Sequence, residues 1–148
     1  MRPKRFSIPL VAGFLIITLP TLSTSVSRVY EMRDNLLYEK ALNSNTIEDL
    51  DSLIYKYPIN SRHNEIMILR DQMLLTASKY ASSVDQVDLY ISKYPQSIVI
   101  DELMSIRNQM AFNEARDSGS IEKLQKFISL YPGANQVEEA QKLIKQLE

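Results

Sequence analysis

Residues 120–132 read SIEKLQKFISLYP, and the same plan stands 37 residues earlier as SVDQVDLYISKYP (83–95) and 37 earlier again as TIEDLDSLIYKYP (46–58). Ile47, Val84 and Ile121 coincide, each followed by an acid (Glu48, Asp85, Glu122). So do Leu50, Val87 and Leu124, then Leu53, Tyr90 and Phe127, then Ile54, Ile91 and Ile128. Past the prolines the match continues through Ile66, Leu103 and Ala140; Leu69, Ile106 and Leu143; Met73, Met110 and Leu147. Self-similarity at a fixed spacing in this range is the mark of a helical solenoid, whose units bury their apolar faces on one another. The chain therefore reads as all-α, a short solenoid of helical hairpins with three 37-residue repeats over residues 36–148.

Within each unit the apolar residues recur three and four apart, as Ile121, Leu124, Phe127 and Ile128 do, which places them on one helical stripe. Leu124 and Phe127 are expected in the core. Thr46, Ser83 and Ser120 stand where side-chain oxygens cap the first amides, and Ser83 with Gln86 forms a capping box. Proline after Tyr57, Tyr94 and Tyr131 ends each short helix, because it has no amide hydrogen and restricts the residue before it. Ser61, Ser97 and Asn135 read as second start signals, giving longer helices over about 62–81 and 98–117 and a final one over about 136–147. Gly119 reads as a C-terminal stop. The three tyrosines recur at one framework position and are expected to wedge helices together, with Met73 and Met110 as core fillers.

Ahead of the repeats, 22 residues from Phe6 to Ser27 carry no charge, behind a start containing Arg2, Lys4 and Arg5. As a helix they would span ~33 Å, enough for a hydrocarbon core. Pro20 breaks the pattern, and the small polar residues after it equally suit a cleaved secretory signal. Residues 1–27 are thus a signal-anchor or signal peptide, 28–35 a linker, and 36–148 the repeat domain. In either case the basic start stays cytoplasmic and the repeats cross to the other side.

The run at 120–132 with Glu139-Ala140, and Tyr94-Pro95-Gln96-Ser97 beside it, resembles the tetratricopeptide-like (TPR-like) repeats of bacterial cell-envelope proteins. It is similar to those of the Tol–Pal-associated cell-division coordinator and of the TPR lipoprotein of the outer-membrane barrel-assembly machine. The resemblance covers residues 36–148 and implies an interaction scaffold in a bacterial envelope. The chain has no cysteine, so the lipid anchor of the latter protein, disulfides and thiolate metal sites are all excluded.

Nothing in the sequence assembles into catalytic chemistry. His63 is the single histidine, and the three glycines are scattered, so neither a zinc site nor a phosphate loop is expected. The pairs Asp101-Glu102 and Glu138-Glu139 sit at helix starts, where they complement the dipole. Beyond residue 27 there are 14 basic residues against 18 acids, a balance of −4 that disfavours nucleic acid. A non-enzyme is expected, without cofactor, metal or small-molecule substrate. Its partners are protein subunits of an envelope complex and, through residues 6–27, the membrane. Positions apolar in one copy but polar in the others are not required by the framework. They nominate Tyr55, Ile68, Tyr80, Ile98, Val99 and Leu42 as partner contacts. Two functions follow: a membrane-anchored accessory subunit with periplasmic repeats, or a soluble periplasmic adaptor freed by signal cleavage.

Overall fold

The computed structural model of the chain describes the backbone of residues 12–148 and the side chains from residue 23 onward. Over that span it is helical, with no strand: α1 (Ala12–Leu42), α2 (Ile47–Lys56), α3 (His63–Lys79), α4 (Val84–Lys93), α5 (Ile100–Asp117), α6 (Ile121–Leu130) and α7 (Val137–Leu147). The short helices α2, α4 and α6 begin where hydroxyls wait for them. Thr46, Ser83 and Ser120 accept from the amides of Asp49 (3.1 Å), Gln86 (3.3 Å) and Lys123 (3.4 Å). Gln86 reaches back to the amide of Ser82 (3.1 Å), one residue before the cap, so the box at Ser83 is shifted by one position. Each short helix ends on its tyrosine, whose amide donates to Leu53, Tyr90 or Phe127, and proline then prevents another turn. Gly119 has a φ of +63°, the left-handed conformation that ends α5 without steric cost.

The long helices start within two residues of the positions expected, but not on the caps expected. Neither α3, α5 nor α7 has a side-chain cap, and they begin after Arg62, Val99 and Gln136 rather than on Ser61, Ser97 and Asn135. The exposed amides are instead met from the neighbouring long helix. Asp34 of α1 accepts from Ser61 N–H (2.8 Å), and Asp71 of α3 accepts from Ile98 N–H (2.9 Å). The two bonds lie 37 residues apart and each spans 27. A third link of the same span joins Gln109 of α5 to Gln136 (2.8 Å). Asn60 and Ser97 add local bonds to the amides of Arg62 (2.7 Å) and Val99 (3.3 Å), so carboxylate and turn side chain share the entry to α3 and α5.

These links place α1 against α2 and α3, α3 against α4 and α5, and α5 against α6 and α7. Successive long helices pack on one another, whereas the short helices α2 and α4 meet only through side chains, Lys93 and Tyr94 reaching Asp51. The layout is repeat-like, with hairpins threaded along a row of long helices. The core forms in the hairpins: Ala41, Leu50, Leu53 and Ile66 at one end, and Phe112, Ala115, Leu124, Phe127, Ala134 and Ala140 at the other. Leu124 and Phe127 are buried as expected, and the Phe127 ring tilts against Phe112 at 5.5 Å between centroids.

Residues 28–35, expected as a linker, are part of α1, which continues through Pro20 without the break anticipated there. Its C-terminal half packs on α2 and α3, and helix once nucleated propagates at little cost per residue. Residues 1–11 of the apolar N-terminal segment lie outside the described residues. Among the described residues no helix is long and apolar enough to cross a membrane.

The strongest polar cluster joins two hairpins. Asp71, 2% exposed, receives two bonds from Arg70 (3.0 and 2.8 Å) besides the Ile98 amide. The Arg70 guanidinium lies over the Tyr94 ring at 5.0 Å, and the Tyr94 hydroxyl donates to Asp51 of α2 (2.6 Å). Lys93 completes the ring at 3.1 Å from Asp51, and hydrogen bonding to Tyr94 and then Asp51 pushes its pKa up to about 12. Burial, and then donation to Asp51, pushes the Tyr94 phenol up. Removing one member of so enclosed a group strands the rest. Asp71→Ala should therefore cost about 3–5 kcal/mol in urea unfolding; a loss under about 1 kcal/mol would show that the cluster is ornamental.

Candidate functional site

The connection between α2 and α3 is only six residues, Tyr57 to Arg62, so the two helices run antiparallel. The same holds for α4 with α5 and α6 with α7. One edge of the stack therefore gathers the ends of the short helices, the Tyr-Pro turns and the starts of the long helices. The opposite edge gathers the ends of the long helices. The six nominated residues divide between these edges.

Tyr55, Ile68, Ile98 and Val99 belong to the Tyr-Pro edge. Tyr55 is 89% exposed near the end of α2, on the side turned away from the buried Leu50 and Leu53. Ile68, 42% exposed, sits one turn before Asp71 on α3, and the Asp71 carboxylate holds the amide of Ile98, itself 69% exposed. Val99 is half-buried as the N-cap of α5 and contributes a margin to this surface rather than its centre. Leu42 and Tyr80 lie on the opposite edge, at the ends of α1 and α3. Leu42 there borders a groove with Leu50, Leu69 and Met73.

The sequence reading missed Ile59, which is 91% exposed in the turn between α2 and α3. The criterion used for the others finds it, since its counterparts are Gln96 and Gly133. Tyr55, Ile59, Ile68 and Ile98 thus form the apolar part of the Tyr-Pro edge around the first hairpin.

Two ion pairs at this edge are closed within the chain. Arg62 pairs with Glu65 (2.9 Å from Nε) and lies over the Tyr38 ring at 3.6 Å. The hydrogen bond from Arg62 holds the Glu65 carboxyl below its ordinary range. The Ser61 amide, with Arg33 behind it, does the same for Asp34. A partner laid on this surface meets apolar side chains beside these ion pairs, with the exposed Lys56, Asp101 and Glu102 at its margin.

His63 opens α3 half-buried, and its Nδ1 has no hydrogen-bond partner within the chain. Among the described residues no three of His, Cys, Asp and Glu converge where a metal ion could be held. Comparison with protein-family models, with curated proteins and with solved structures yields no match.

Proposed function

We propose that this chain is a non-catalytic protein-interaction scaffold, an accessory subunit that docks on a larger cell-envelope assembly. In this reading it is a TPR-like solenoid of three 37-residue repeats following an N-terminal hydrophobic segment. That segment, residues 6–27, anchors it in the membrane with the N-terminus cytoplasmic and the repeats periplasmic. The observation that carries the reading is the exposure of four large apolar side chains, Tyr55, Ile59, Ile68 and Ile98, in and beside the first two Tyr-Pro turns. These side chains stand where the other copies carry serine, glutamine, glycine, lysine or asparagine, so packing of the repeat does not demand them. Large apolar side chains kept exposed without a framework need mark a contact surface.

The alternative is a soluble periplasmic adaptor released by cleavage near the small polar residues Ser23 to Ser27. Intact mass of the native protein separates the two. A chain retaining Met1 is expected, and a start near Val26 or Arg28 would establish the adaptor.

Tyr55→Ser/Ile68→Ser in the full chain should abolish co-purification of the assembly from mild detergent. An interface aromatic of this kind is worth about 2 kcal/mol or more, roughly a thirtyfold loss of affinity. Both side chains are exposed, so the melting temperature should stay within about a degree. Undiminished co-purification would remove this edge as the docking face.

A further inference from the structure

The register that relates the hairpins extends one step further upstream than the sequence comparison carried it. Asp34 and Arg33 of α1 match Asp71 and Arg70 of α3, and Arg107 of α5 follows at the same spacing. By that register Val29, Met32 and Leu36 are the counterparts of Ile66, Leu69 and Met73. In α3 those residues are covered: Ile66 is buried in the core against Leu50 and Leu53 of α2, with Leu69 and Met73 packed beside it. In α5 and α7 the corresponding Leu103 and Ala140 are fully buried. Each is enclosed by the short helix of its own hairpin, α4 or α6.

Among the described residues no such short helix lies against α1, which itself runs on from Ala12. Val29, Met32 and Leu36 are 65%, 66% and 70% exposed, on one face at helical spacing. With Arg33, Leu37 and Lys40, all on α1, they form a shallow one-walled groove open to solvent.

The arginines say what chemistry the absent helix carries. Arg70 reaches Asp51 in the short helix of its own hairpin (3.8 Å), and Arg107 likewise reaches Asp88 (3.4 Å). Their side chains are 11% and 19% exposed. Arg33 at the equivalent place is 40% exposed, pairs with its neighbour Asp34 and lies over Tyr30. It is a cation set beside an apolar groove, with Lys40 along the same rim.

We infer that the α1 groove seats a short amphipathic helix supplied by another polypeptide, completing the hairpin that this chain leaves open. Its pattern is that of α2 and α4. An apolar residue is followed directly by an acid to meet Arg33, and two further apolar residues come two and three places after the acid, as in Leu50-Asp51-Ser52-Leu53-Ile54. The inference rests on the scaffold reading and gives it a second contact, with a recognisable ligand. Apolar seating provides the affinity, and the acid opposite Arg33 fixes the register.

The test uses the full chain in lipid nanodiscs and a synthetic peptide of residues 46–58, stapled through positions 48 and 52 on the exposed face of α2. The native α2 is tethered and not displaced by free peptide, so the vacant groove is the place left to fill. Saturable binding by fluorescence anisotropy is expected. It should weaken about tenfold or more in Met32→Ser/Leu36→Ser, whose side chains are exposed and whose melting temperature should not change. A peptide carrying Asp51→Lys should weaken comparably, and one carrying Asp51→Glu should not. No binding, or equal binding to the double variant, overturns the inference. So does a dimer of the wild-type chain that Met32→Ser/Leu36→Ser dissociates, for then a second copy occupies the groove. Failure here with co-purification still dependent on Tyr55 and Ile68 leaves the scaffold reading standing. Loss of that dependence with peptide binding intact removes only the Tyr-Pro edge.

Discussion

A buried carboxylate that accepts the amide opening the next hairpin is the contact on which this arrangement depends. Asp71 holds Ile98 in this way, and Asp34 holds Ser61. The bond fixes where each long helix begins relative to the one before it, and so sets the spacing of the row. A carboxylate so enclosed needs a counter-charge, and the adjacent arginine provides it within the same turn of helix. The arginine of α3 or α5 then spreads over the tyrosine that ends the next short helix, which accounts for Tyr94 and Tyr131 at that position. One polar pair thus connects register, charge balance and the placement of an aromatic wedge. At the next step the acid gives way to the neutral Asn108, whose oxygen is taken by the Arg107 guanidinium.

Local chemistry made the short helices legible in the sequence. Hydroxyls at Thr46, Ser83 and Ser120 and the Tyr-Pro stops act within a few residues of where they stand, so their reading needed no knowledge of tertiary contacts. The apolar stripe likewise led to Leu124 and Phe127 in the core. The starts of the long helices were not legible in the same way. In the turns just ahead of α3 and α5, the amides of Ser61 and Ile98 are answered by residues 27 positions earlier, which nothing within the turn reports. Arg33-Asp34 and Arg70-Asp71 carry no apolar signal, although their 37-residue spacing is present in the sequence. An alignment anchored on apolar positions passes over a framework pair that is polar.

The surface residues show a related limit. Comparing the copies separates what the repeat needs from what it merely tolerates, and five of the six residues so chosen are exposed. The comparison has no access to geometry, so it joined Leu42 and Tyr80 to residues on the opposite edge. Ile59, opposite Gln96 and Gly133, is a difference of the same kind, but it lies in a turn, outside the helical stripes on which the copies are aligned. The α1 stripe lay hidden for another reason: its counterparts begin one hairpin downstream, and α1 has no Tyr-Pro landmark to announce the register. Both surfaces lie toward the N-terminal part of the stack, close in sequence to the apolar segment.

Native-state hydrogen exchange, resolved by residue, tests the carboxylate clasp most directly. Ser61 and Ile98 lie outside the helices in exposed turns, where amides ordinarily exchange quickly. If Asp34 and Asp71 hold them, their protection should match that of amides within α3 and α5. Asn135, at the same place beside the neutral Asn108, should exchange faster than either. Exchange at Ser61 and Ile98 as fast as in an open loop would contradict the account.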